Sequence, residues 1–215
     1  MEESRKAPLA LIVCSSDRGL CGAIHSSISK MAKNLVFDAK DRDVSISIIG
    51  DKAKPQIARQ VKNNIALSFN QASKNGPSYS EALFIASQIL KTVEASDYLI
   101  LHNKFQSVIS YESCSFSVPT LEQIKSSTNF PAYVDEESPN SEVLRNYVEF
   151  NLANLLFWSM AEGYAAEMAS RRMAMENATK NAEQIVQQLT LRYNRTRQAV
   201  ITNELVDIIT GASAL

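Results

Sequence analysis

A chain of 215 residues, 45% apolar and 21% charged, is ordinary globular material, enough for one or two domains. Its net charge of −1 gives the molecule as a whole no bias toward nucleic acid or anionic lipid. The longest apolar run, Pro8 to Cys14, has the length of a strand and falls far short of the roughly 18 residues that cross a bilayer, so no direct membrane insertion is expected.

In chain order, Leu9 to Val13 is a continuous apolar run, the pattern of a strand buried on both faces of a largely parallel sheet. The Ser15 to Gly22 turn follows. Then Ala23, Ile24, Ile28, Met31, Ala32, Leu35 and Val36 recur at helical spacing. Val44, Ile46 and Ile48 alternate with Ser45 and Ser47, which predicts a strand with one more polar face. A helix from Lys52 to Val61, with Pro55 in its tolerated first turn, precedes a short strand over Ile65 to Phe69. Beyond the break at Gly76-Pro77, Ser80 to Leu90 reads as a helix with Leu83, Ala86 and Leu90 on its apolar side, widened by Phe84 and Ile85. Tyr98 to His102 is a second buried strand, and Val108 to Val118 returns antiparallel as a sheet edge. This strand and helix alternation predicts a Rossmann-like α/β domain over 1–140.

Its boundary falls in Asn129 to Asn140, where Pro131, Pro139 and the solvated linker charges Asp135, Glu136 and Glu137 end the sheet chemistry. From there to Leu215 no proline interrupts the chain, and 141–215 reads as one helix roughly 100 Å long at about 1.5 Å per residue. Gly163 inside it costs about 1 kcal/mol relative to alanine and predicts a bend or a close packing contact. Ala182, Val186, Leu189, Tyr193, Thr196 and Val200 step by four and three, close to a heptad seam that a partner helix would cover. One position over, Ile201, Leu205, Ile208 and Ala212 continue those steps, so the stripe changes face near its end. Between Arg171 and Arg197 six basic residues stand against Glu176 and Glu183, which suits an acidic partner surface.

The chemistry-bearing residues point away from catalysis. Ser15 to Gly22 lacks the spacings of phosphate-cradling loops; Asp17 is expected to satisfy amides at the turn, with Gly19 and Gly22 supplying unusual backbone angles. His25 and His102 have no second histidine at ligand spacing, so no metal centre and no nucleophilic triad is expected. Cys14, Cys21 and Cys114 form no ligand pattern and cannot all pair, which favours a reducing compartment. The basic stretch would also suit phosphate backbones, but only Tyr193 is placed to stack a base and no nucleic-acid module is present. The residues alone thus describe a non-enzymatic α/β protein with a partner-seeking helix, the alternatives being a coiled-coil adaptor of similar build or a basic-helix nucleic-acid-binding protein, with no cofactor and no nucleic-acid partner expected.

Two stretches carry a family resemblance: Ser15-Ser16-Asp17-Arg18-Gly19-Leu20-Cys21-Gly22 near the start, and Met173 to Ala182, Tyr193 to Glu204 and Ile208 to Ala212 near the end. The chain resembles the gamma subunits of rotary proton-translocating ATP synthases, and is most similar to the mitochondrial members. The resemblance implies a central rotor stalk whose carboxyl-terminal helix is half of an antiparallel coiled coil. It implies alpha and beta subunits around that helix, epsilon-type and delta-type subunits and a membrane ring of c subunits at its foot, and a peripheral place on the matrix side of the mitochondrial inner membrane. Nucleotide chemistry would lie on the beta subunits, with Arg171, Arg197, Gln198, Thr202 and Glu204 in the positions that touch their loops. Family members place a long basic helix before the first strand, whereas Met1 to Ala7 precede it here, so a truncated product is expected. The Met1 to Lys6 segment carries no targeting pattern of its own.

Overall fold

The structure is a computed structural model that describes residues 6–39, 42–74, 76–128, 130 and 141–213. Five strands form one sheet: β1 (Lys6–Cys14), β2 (Arg42–Ile49), β3 (Ile65–Phe69), β4 (Asp97–Phe105) and β5 (Tyr111–Val118). The spatial order is β3-β2-β1-β4-β5. β1 is central and pairs in parallel with both β2 and β4, and only β5 runs antiparallel, along β4. The helices are α1 (Ile24–Asp38), α2 (Lys54–Val61), α3 (Tyr79–Thr92), α4 (Leu121–Ser126) and α5 (Ser141–Ser213).

Side-chain alternation along β1 divides the core into two layers. Leu9, Leu11 and Val13 join Val44, Ile46 and Ile48 of β2 under Ile28 and Ala32 of α1 and Ile57 of α2. Ala10, Ile12 and Cys14 face the other way and meet Ala82, Ile85, Ala86 and Ile89 of α3 together with Leu152, Ala153, Leu156 and Met160 of α5. A sheet covered on both faces explains the unbroken apolar run. Ser47, on the more polar side of β2, is buried even so, and its hydroxyl has no hydrogen-bond partner among the described residues.

Three local expectations are corrected. The buried face of α3 is Ala82, Ile85, Ala86 and Ile89, while Leu83 and Phe84 are 46% and 60% exposed. The Ser78 side chain caps α3 by accepting from the Glu81 amide at 3.3 Å, which fixes where the helix begins. Gly163 makes no close packing contact, since a Cβ built on it meets nothing within 4 Å, and α5 runs through it as continuous helix. α4 is an additional helix, started by a capping box in which Gln123 Oε1 accepts from the Thr120 amide at 3.2 Å.

The expected boundary at 129–140 lies, apart from Phe130, outside the described residues. Compactness divides the chain elsewhere, into one unit ending at Met173 and a second from Ala174. The first 33 residues of α5 therefore belong with the sheet. Their buried positions, Leu152, Ala153, Leu156, Ser159, Met160, Ala166 and Glu167, fall on a single side, one stripe of a helix laid on a sheet. In the second unit every residue from Ala174 to Ser213 except Ala174 and Asn194 is exposed.

Candidate functional site

The strand order reverses between β1 and β4, and ligands of doubly wound sheets bind in the crevice at the carboxyl ends of such strands. A cleft of about 200 Å³ lies there, lined among others by Ser15, Ser16, Arg18, His25, Ser73 and Lys74. Ligand pockets for nucleotide-sized molecules run to about 300–1,000 Å³. The cleft is smaller than that.

Its walls are internally committed. His25 Nε2 lies 3.0 Å from the Arg18 carbonyl, which can only accept, so this nitrogen carries the proton and Nδ1 accepts from the Ser15 hydroxyl at 3.0 Å. Burial lowers the His25 pKa and keeps the ring neutral. Cys21 Sγ, 3.0 Å from the same Nε2, is pushed up by burial and then by Glu167, so the thiol stays protonated and is a poor nucleophile. Arg18 Nη2 donates to the Lys74 carbonyl at 2.6 Å and ties the β1 loop to the loop after β3.

The turn itself departs from expectation. Asp17 Oδ1 accepts from the Asp51 amide at 2.8 Å, bridging to the next loop instead of serving its own turn. Gly22 does take a positive φ of +65°, but the other left-handed residue is Leu20, not Gly19. Gly50, which the sequence did not single out, has the strictest role. Its φ is +92°, and a Cβ there would lie 2.6 Å from the Ser16 backbone nitrogen, so the β2 turn packs backbone against backbone on the β1 loop. Among the described residues no group of three or more His, Cys, Asp or Glu is placed to hold a metal ion, and no helix is long and apolar enough to cross a membrane.

The second site is the helical surface. Arg171 lies in the first unit, half-buried and ion-paired with Glu167, and its Nη1 reaches Met168 Sδ at 3.5 Å. Arg197, Gln198, Thr202 and Glu204 are exposed in the second unit. The Thr202 hydroxyl donates to the Gln198 carbonyl at 2.8 Å, which leaves its lone pairs as acceptors. Ala182, Val186, Leu189, Tyr193, Thr196 and Val200 all lie exposed on one helical face. Ile201, Leu205 and Ile208 are exposed about 100° around from them. Ile185, Leu191, Val206 and Ile209 are exposed as well and were not expected, because they fall off both stripes.

Fold and surface together define a three-layer α/β protein that carries a long helix with an uncovered apolar side. A family model described as ATP synthase matches residues 1–215. The mitochondrial ATP synthase gamma subunit of Schizosaccharomyces pombe is 41% identical over 220 residues, covering 100% of this chain and 72% of its own length. That of Saccharomyces cerevisiae is 44% identical, over 97% of this chain and 67% of its own. The gamma subunit of the ATP synthase F(1) complex of Rattus norvegicus is 40% identical, over 99% and 78%. This chain belongs to the family of mitochondrial ATP synthase gamma subunits. It shares its fold with a chain in the Euglena gracilis mitochondrial ATP synthase, at a TM-score of 0.81 and 20% identity over 97% of this chain and 73% of the other.

Proposed function

We propose that the chain acts as a central rotor stalk, coupling proton-driven rotation to ATP synthesis on beta subunits without catalysing any step itself. The observation that carries this reading is the helix from Ala174 to Ser213, which displays two apolar stripes and a basic stretch in a chain of the gamma family. An asymmetric shaft favours a different conformation of each surrounding subunit as it turns, through contacts that differ between states. Arg197, Gln198, Thr202 and Glu204 supply bonds that break and reform at each step, Arg through its rigid fork for carboxylates. Ala182 to Val200 forms the seam of an antiparallel coiled coil. The α/β unit stands at the foot, against epsilon-type and delta-type subunits and the c ring, on the matrix side of the inner membrane.

Coexpression with ATP synthase alpha and beta subunits tests the reading. Copurification in a stable complex is expected, and a chain that elutes alone would overturn it. Titration calorimetry with Mg-ATP on the chain by itself is expected to show no saturable heat. A micromolar isotherm, about −8 kcal/mol, would instead make the β1 loop cleft a nucleotide site.

A further inference from the structure

His102 of β4 is 2% exposed, and neither of its ring nitrogens has a hydrogen-bond partner among the described residues. A neutral imidazole always has one N–H to donate and one lone pair to fill, so the burial of both without partners is unusual. What surrounds the ring is aromatic. Its centroid lies 5.4 Å from that of Phe116 on β5 and 5.0 Å from that of Trp158 on α5, and the latter two are 5.5 Å apart. Trp158 is 44% exposed, so the cluster that encloses the imidazole reaches the surface through the indole.

We propose that His102, Phe116 and Trp158 form an acid-released latch between the sheet and α5. With the imidazole neutral, Phe116 packs edge to face on it, Trp158 lies tilted against both rings, and the cluster holds the Trp158–Glu162 turn on the β4–β5 edge. A proton converts both nitrogens into charged donors that the aromatic cluster cannot satisfy. A cation–π contact would engage the face of Trp158 and leave those N–H groups unmet. The charged groups facing the site do not rescue it. Glu162 of α5 favours the protonated ring, but its Oε2 already accepts from the Phe105 amide at 3.0 Å, and turning to His102 would give up that tie between β4 and α5. Lys104 of β4 opposes protonation, and Glu112 of β5 stands opposite Lys104 in the ladder. Cys114, opposite His102, has its thiol pushed up by burial and stays neutral.

The direction in pH follows. Burial holds the folded pKa of His102 below its ordinary 6.5. The opened form therefore takes up the proton first, and the latch is intact above about pH 6.5 and loosens as pH falls toward the folded value.

Trp158 is the only tryptophan in the chain, so the latch carries its own probe. Emission of the full chain, followed from about pH 8 to about pH 5, is expected to move to longer wavelength as the indole gains water. Amide exchange across 155–162, corrected for intrinsic rates, should quicken by up to about tenfold per pH unit, the slope of one proton. His102→Phe keeps an apolar ring and should abolish both changes. Should that variant fail to fold, the ring resonances of His102 in the wild-type chain must titrate with the Trp158 midpoint. An unchanged emission, a transition that persists in His102→Phe, or a His102 titration that leaves Trp158 unmoved would each overturn the latch; persistence would assign the transition to His25, the other histidine.

Discussion

Several single residues behave differently from what their type suggests, and the difference is geometric. Glycine at 163 marked a weak point in the helix, yet its missing side chain opens onto the cleft, so nothing obstructs a methyl group there. Gly163→Ala is expected to stabilise the chain by about 1 kcal/mol, read as a raised thermal midpoint, and a lowered midpoint would show that the site needs the gap. Gly50→Ala should act in the opposite direction, by more than about 2 kcal/mol, because left-handed strain adds to a collision with the Ser16 backbone. The sequence offered no signal for Gly50, since a close approach between two loops depends on the tertiary fold. It likewise suggested Gly19 as the strained residue, where Leu20 takes the positive φ. Thiol reactivity gives a further check at this scale. Cys14 is fully buried with its pKa raised to about 12, and Cys21 is buried beside His25, whereas Cys114 is only partly covered. A disulfide exchange reagent should modify Cys114 first in the native chain and reach the other two on unfolding.

At the scale of elements, the strands were the most legible feature. β1 and β4 are read directly from apolar runs, β3 from its short β-branched and aromatic stretch, and β5 from weak alternation typical of an edge. Helix phase was less legible. Leu83 and Phe84 attract the eye as large apolar residues, but the buried face is Ala82, Ile85, Ala86 and Ile89, whose two alanines allow a closer approach. α4 escaped notice because six residues show no periodicity, although Thr120 with Gln123 three positions on is a start signal. For the helical surface, the apolar steps from Ala182 to Val200 are legible as pattern, whereas Arg197, Gln198, Thr202 and Glu204 are singled out by the family resemblance alone. Arg171 is singled out in the same way, and its pairing with Glu167 one turn back depends on burial that no pattern shows. A complete gamma subunit carrying Arg197→Ala with Gln198→Ala in an assembled enzyme is therefore expected to lose coupling or assembly, with about 1.5–3 kcal/mol at stake for each bond to a charged partner. ATP-driven rotation and assembly indistinguishable from the parent would remove these residues from the interface.

For the whole molecule, the decisive fact is that the chain divides within a helix instead of between elements. From Leu152 to Met160 α5 packs on the sheet core; from Ala174 its apolar residues, among them Val186, Leu189, Tyr193, Ile201 and Ile208, lie exposed. Full burial of each such large side chain is worth roughly 1.5–3 kcal/mol, and with more than half of each side chain exposed most of that is not realised in the second unit. Helical order there rests on local propensity, which Thr190, Thr196, Val200, Ile201 and Thr202 weaken through their branched side chains. Hydrogen exchange on the chain alone should therefore find strong protection in β1, β2 and β4 and little from about Ala182 to Ile209. Removal of 174–215 should leave the thermal midpoint of the first unit nearly unchanged, because no buried residue of its core is lost. An amphipathic helical peptide with a matching heptad seam, added in excess, should restore protection to Ala182–Ile209, with a gain that grows with its concentration over its dissociation constant. Strong protection of that stretch in the monomer without any peptide would show that the helix needs no partner, and the reading of the chain as a stalk would lose its physical basis.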